Sequence, residues 1–171
     1  MTPRLVLRSP TASDLPLLHD HVLSDPLVMR RAFSGPLSQA GSRAFFDQDF
    51  DHEGCGRKLG VLALRSTNQV IGFAGLVPCG VLDRDDYELG FVLRRSAWGQ
   101  GYAREIGQGQ IAFAFSRLGL ARVLALAAPD NAASIAALTA IGMTCQTVVT
   151  SPPRGERQVF VRWNQDGTGM S

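Results

Sequence analysis

The sequence predicts an α+β fold: one layer of mixed sheet, about seven strands, with helices packed against it. Three observations predict it. Apolar or β-branched runs alternate with stripes of helical spacing in the order β-α-α-β-β-β-α-β-α-β-β. Hydrophobic residues make up 45% and charged residues 19%, an ordinary globular composition. No linker or internal repeat interrupts the 171 residues, so one domain is expected over 1–164, with a polar, frayed tail at 165–171.

Arg4-Leu5-Val6-Leu7-Arg8 alternates polar and apolar residues and reads as the first strand. Thr11 or Ser13 can cap the next helix, whose stripe is Leu15, Leu18, Val22 and Leu23 and which Asp25-Pro26 interrupts. Ser38 can cap a further helix through Phe45, Phe46 and Phe50, ending near Gly54-Cys55-Gly56. The period then changes. Lys58 to Leu64 and Val70 to Val77 are strand runs joined by the turn signal Ser66-Thr67-Asn68-Gln69. After a loop from Val81 to Asp86, Tyr87 to Leu93 is the fourth strand. Ala103, Ile106, Ile111, Ala114, Phe115 and Leu118 then fall at helical spacing. Gly107 and Gly109 weaken that helix by roughly 1 kcal/mol each relative to Ala, so close packing is expected there. Val123 to Ala127 is apolar on both faces, as in a buried strand. Asn131 can cap a helix over 132–141 that Gly142 ends. A last hairpin joins Cys145–Thr150 to Gln158–Trp163 around Ser151-Pro152-Pro153-Arg154-Gly155.

Composition also excludes classes of function. Net charge is only +2 and the basic residues are dispersed, which argues against a nucleic-acid partner. Cys55, Cys79 and Cys145 are widely spaced with no Cys/His cluster, so no metal site is expected and the thiols read as reduced. The start MTPRLVLRSP lacks a signal-like apolar run, and no stretch is long and apolar enough for a membrane helix. A soluble, cytoplasmic protein is expected.

Chemistry concentrates in Ser96-Ala97-Trp98-Gly99-Gln100-Gly101-Tyr102-Ala103-Arg104-Glu105, between a strand and a helix. A Walker loop would need a Lys before Ser or Thr, which is missing. A dinucleotide fingerprint would need a third glycine and an acid about 20 residues on, but no Asp or Glu lies between Glu105 and Asp130. What remains is a turn whose backbone N–H groups converge at a helix N-terminus. Such a backbone cradle suits a pyrophosphate whose nucleoside end is loosely held, as in coenzyme A.

The segment from Trp98 to Glu105 resembles the acyl-CoA loop of the GNAT family of N-acetyltransferases. Within that family it is most similar to the RimJ/RimL-like branch, which acetylates the N-termini of ribosomal proteins. The resemblance extends to Arg4–Arg8, to Ser24-Asp25-Pro26-Leu27-Val28-Met29, to Val70-Ile71-Gly72-Phe73-Ala74-Gly75, and to Asn131-Ala132-Ala133-Ser134-Ile135 with Ile141-Gly142-Met143.

That resemblance implies a sheet splayed at the fourth and fifth strands, with the pantetheine arm of acetyl-CoA inserted between them. Phe91, Val92 and Leu93 would then contact pantetheine through the main chain, and one N–H would polarise the acetyl oxygen. Arg94 and Arg95 would lie beside the pyrophosphate, held by Gly99, Gln100, Gly101, Tyr102 and Ala103. Ser96 stands where many relatives carry Gln or Arg. Glu88 is the implied general base, with Glu156 or a water chain as alternatives. Leu138 and Met143 replace a Tyr and a Phe common in the family. Ser134 is then the implied partner of the leaving thiolate, and Asn131 the implied contact to the pantetheine arm. Both also have simpler readings, as a helix cap and a helix-surface residue.

His19 and His21 point to different faces of one helix, and His52 sits among Asp49, Asp51 and Glu53, a solvated helix end or a weak cation contact. Trp98 reads as packing. Asp83, Asp85 and Asp86 form either a solvated loop or a lure for a cationic amine. The implied reaction moves an acetyl group from acetyl-CoA to a primary amine, on a protein N-terminus or a small molecule, by direct attack in a ternary complex. A non-catalytic acyl-CoA-binding module is the alternative, and the implied assembly is a monomer or homodimer.

Overall fold

A computed structural model describes residues 2–33, 35–151 and 155–165. Its elements are β1 (Leu5–Arg8), α1 (Asp14–Leu18), α2 (Pro26–Ala32), α3 (Gln39–Asp49), β2 (Leu59–Leu64), β3 (Val70–Cys79) and β4 (Asp86–Leu93). They continue with α4 (Tyr102–Ser116), β5 (Arg122–Ala127), α5 (Ala132–Ala140), β6 (Thr144–Ser151) and β7 (Gly155–Trp163). The expected seven strands form one sheet, ordered β1-β2-β3-β4-β5-β7-β6. Residues 152–154 of the last turn and 166–171 of the expected tail lie outside the described residues.

Strand alternation, shifted by one residue in β3 at the register irregularity opposite Leu62 and Ala63, sends side chains to two faces. Val61 and Phe73 face one side and join Leu18, Met29 and Phe46 of the first three helices and Phe50 just past α3. Leu62, Ile71 and Ala74 face the other side, with Leu93, Ala97 and Ile106. Further along that side, Leu89, Val123 and Ala125 pack with Ala114 of α4 and with Leu138 and Ile141 of α5. The glycines of α4 are places of close approach. A Cβ on Gly107 would lie 2.7 Å from Ile141 Cδ1, and one on Gly109 would lie 2.8 Å from Thr2 Cγ2.

Several local features differ from expectation: Ser13 is the N-cap of α1 but its side chain makes no cap hydrogen bond, and α3 ends at Asp49, short of Gly54-Cys55-Gly56. Asp25-Pro26 starts a helix instead of merely ending one: Asp25 Oδ1 accepts from the Leu27 and Val28 N–H groups, and Pro26 occupies the first turn of α2, where no N–H is needed. The first helix also widens into a π-helical turn over His19–Leu23, closed by the Ser24 N–H on the His19 carbonyl.

Within this sheet β4 and β5 run parallel, with one registered pair, Glu88 opposite Leu124, whereas β3 and β4 are in register over eight pairs. The two strands start side by side because an ion pair fixes them. Arg122 Nε and Nη2 donate to the two oxygens of Asp86 at 2.8 and 2.7 Å, and Nη2 also reaches Asp83 Oδ1 at 2.6 Å. The guanidinium stacks over Trp163, and Arg122 and Asp86 are only 6% and 5% exposed. These hydrogen bonds push the Arg122 pKa above its ordinary value despite burial. Two of the three loop acids are therefore committed to the fold.

Removing one member of a buried pair leaves the other charge uncompensated, which costs about 3–5 kcal/mol. Arg122→Met is therefore expected to lower unfolding stability by about that amount, with part recovered when Asp86→Asn is added. Urea melts of the single and double variants measure both, and an unchanged midpoint for Arg122→Met would contradict this.

Candidate functional site

Beyond Glu88 and Leu124 the parallel strands separate, each held by its other neighbour. β3 continues alongside β4 as far as Leu93, and β7 continues alongside β5 as far as Ala127. A fork results. Both strands point their C-terminal ends to its open side, and a helix begins beyond each: α4 after β4, α5 after β5. A crevice at the carboxyl ends of parallel strands, faced by two helix N-termini, is a place to bind an anionic or extended ligand.

The sequence-predicted residues distribute around this fork. Glu88 stands at its base, 8% exposed, so the carboxylate is buried. Phe91 and Val92 are half-buried and Leu93 is buried along the diverging part of β4. Asn131 and Ser134 sit together at the start of α5. The Ser134 N–H donates to Asn131 Oδ1 at 3.2 Å, so Asn131 does cap its helix. Glu156 is exposed near the start of β7, two residues before the partner of Ala127.

A turn over Arg95–Ala97 carries the chain from β4 into the glycine loop. Trp98 Nε1 donates to the Leu93 carbonyl at 2.8 Å, pinning the loop to the strand end. Gly99 and Gly101 have φ of 71° and 77°, a region that costs L-residues about 1–2 kcal/mol. A Cβ on Gly99 would meet no protein atom within 4 Å, so the loop's outer side is open. Gly101 is the N-cap of α4 and makes no side-chain cap bond, and among the described residues no other side chain is hydrogen-bonded to that helix start. The first turn therefore keeps its N–H groups for another acceptor. Tyr102 and Ala103, in that turn, are half-buried.

The arginines divide. Arg95 is drawn away from the loop, its Nε donating to Asp25 Oδ2 at 2.6 Å. Arg94 turns toward β3, with Nη1 3.3 Å from the Val70 carbonyl. The cation at the loop is one that the sequence pattern did not single out. Arg4 Nη1 donates to the Gln100 carbonyl at 3.0 Å, Arg4 Nε donates to Glu105 Oε2 at 2.6 Å, and the guanidinium stacks 4.7 Å from the Tyr102 ring. Glu105 Oε1 also accepts from the Arg4 N–H and the Thr2 hydroxyl. Burial alone would raise the Glu105 pKa, but these hydrogen bonds hold it below the ordinary carboxylate range.

Other candidates fall outside the fork. His19 Nδ1 pairs with the buried Ser42 hydroxyl, and His52 Nε2 bonds the Phe46 carbonyl. Among the described residues, no group of three His, Cys, Asp or Glu could hold a metal ion. A cavity of about 260 Å³ lies between α4 and β1–β3, walled by Leu5, Leu7, Ile106, Gln110 and Phe113 among others. It shares no residue with the fork.

Comparison with known proteins agrees with this geometry. Residues 4–144 match the family model of the acetyltransferase (GNAT) domain. An uncharacterised N-acetyltransferase of Bacillus licheniformis is 31% identical over 145 residues, which is 82% of this chain and 79% of that one. The crystal structure of a GNAT-family acetyltransferase from Bacillus anthracis superposes with a TM-score of 0.82 at 22% identity, covering 95% and 96% of the two chains. A spermidine N-acetyltransferase from Vibrio cholerae, solved with CoA and spermine, gives 0.75 at 16% identity, covering 93% of this chain and 95% of that one. With a forked sheet, an uncapped helix start after a double-glycine turn, and a family match across most of its length, the chain belongs to the GNAT acetyltransferases, enzymes whose acyl donor is acetyl-CoA.

Proposed function

We propose that the chain transfers the acetyl group of acetyl-CoA to a primary amine by direct attack within a ternary complex. The observation that carries this reading is the opening between β4 and β5 beneath the uncapped start of α4. Pantetheine lies in the opening as an extra strand, and the pyrophosphate lies on the N–H groups of residues 99–103. Phe91, Val92 and Leu93 line the pantetheine arm through their main chain, and Asn131 bonds it from the start of α5. A main-chain N–H in this stretch polarises the acetyl carbonyl.

The amine nitrogen bonds to the thioester carbon, and its surplus proton passes to Glu88, directly or through one water. The carbon–sulfur bond then breaks, and the Ser134 hydroxyl hydrogen-bonds the leaving thiolate, passing it a proton that solvent returns to the serine. The position of Glu88, buried at the base of the fork opposite Leu124, supports this assignment. The engagement of Arg95 by Asp25 leaves donor binding chiefly to backbone groups. The acceptor is a protein N-terminus, as in the RimJ/RimL-like branch, or a small amine. The former is favoured by the opening strand Arg4–Arg8 and the pair Asn131 and Ser134.

Free-thiol release from acetyl-CoA, measured over peptides, polyamines and small amines, tests the reaction. No turnover with any amine, together with intact acetyl-CoA binding, would leave a binding module instead. With an acceptor in hand, Glu88→Gln is expected to lower kcat roughly 10²- to 10⁴-fold with little change in KM. Glu156→Gln is expected to leave kcat within about two-fold, and the reverse pattern would move the base to the last hairpin.

Gly99→Val separates ligand contact from folding. Its Cβ meets no protein atom, so stability is expected to fall by only the ~1–2 kcal/mol cost of positive φ. CoA binding, measured by calorimetry, is expected to weaken at least tenfold. Equal CoA affinity in the variant would remove the cradle.

A further inference from the structure

We propose that Arg4 is a positioning residue for the acyl donor: it turns the Gln100–Gly101 peptide so that the Gly101 N–H faces the pyrophosphate. This rests on the cradle reading above and adds a device to it. The argument begins with peptide geometry. In a trans peptide the carbonyl and the following N–H point in opposite directions. Arg4 Nη1 holds the Gln100 carbonyl at 3.0 Å, so the Gly101 N–H is directed away from Arg4.

This peptide needs an outside clamp. Gly101 follows it at φ 77° and Gly99 precedes Gln100 at φ 71°, and glycine adopts either sign of φ with little cost. A flipped peptide would present the carbonyl oxygen, and hence negative charge, to the pyrophosphate. No side chain bonds to the helix start from its N-cap, so the helix does not fix the loop by itself.

Arg4 is built to act as that clamp. Its Nε is anchored on Glu105 Oε2 at 2.6 Å, while its backbone N–H and the Thr2 hydroxyl hold Glu105 Oε1 at 2.7 and 2.6 Å. Its guanidinium plane lies 4.7 Å from the Tyr102 ring. The fork thus reaches residues 100, 102 and 105 at once, which a lysine ammonium on a single stem does not reproduce.

The test compares acetyl-CoA with S-acetylpantetheine, a donor that lacks the pyrophosphate. Arg4→Met keeps the stem and removes the donors. It is expected to lower kcat/KM for acetyl-CoA roughly 10- to 100-fold, mainly through KM, the loss typical of a charge-assisted hydrogen bond. The kcat/KM for S-acetylpantetheine is expected to stay within about two-fold. Arg4→Lys reads the same ratio with charge retained, should Arg4→Met not fold, and is expected to fall with it. Equal losses with both donors, or no loss with either, would overturn the positioning role. Wild-type enzyme that shows no preference for acetyl-CoA would instead overturn the cradle itself.

Discussion

The structure depends on one constraint: β4 and β5 are fixed side by side at their starts and released from each other one turn of the pleat later. The buried Arg122–Asp86 pair fixes the starts, and Glu88 opposite Leu124 marks where registered pairing ends. Each strand is fully committed on its outer side, β4 to β3 and β5 to β7. The inner edges then present main-chain groups with no neighbouring strand, and backbone groups away from water require partners. A ligand with an amide-bearing arm supplies them as another strand would. The opening is thus a built consequence of the sheet's connectivity.

Helix α4 is fastened to the β3–β4 side of the fork. It crosses the face below, where Gln110 Nε2 donates to the Gly75 carbonyl of β3 at 2.7 Å and to the Gly90 carbonyl of β4 at 3.1 Å. Gly75 and Gly90 are opposite each other in the ladder. Gly75 also lets β2 approach closely, since a Cβ there would collide with the Lys58 carbonyl. On the α5 side, Gly107 lets Ile141 approach α4 closely. The same helix presents its first turn to the glycine loop, so the loop is held in place relative to β3 and β4.

Much of this was legible in the sequence because it is local. Strand periodicity, the Asn68 turn at φ 56° and the double glycine each depend on a few adjacent residues, and each is found where expected. Helix α2 is harder to see in the sequence because Asp-Pro signals a stop, whereas Asp at the N-cap and Pro in the first turn also start helices. The ion pairs were illegible for another reason. Arg4 and Glu105 are 101 residues apart, Arg95 and Asp25 are 70 apart, and Arg122 and Asp86 are 36 apart. No periodicity links such partners. Arg95 looked available beside the glycine loop in one dimension and is engaged by a helix cap in three.

The division between backbone and side chains also explains why the donor is easier to read than the acceptor. In the proposed site acetyl-CoA would be met by a strand edge, a helix start and two glycines, features that need particular backbone shapes and therefore leave fixed residue types in the sequence. Amine recognition needs no such shape. It can be done by any carboxylate or carbonyl that lines the opposite side of the fork, on loops free to vary. The acidic loop of this chain makes the point: Asp83 and Asp86 have the charge to attract an amine, yet both are hydrogen-bonded to Arg122. Charge alone is a poor guide to an acceptor site; a carboxylate counts toward recognition only when the fold has not already paired it.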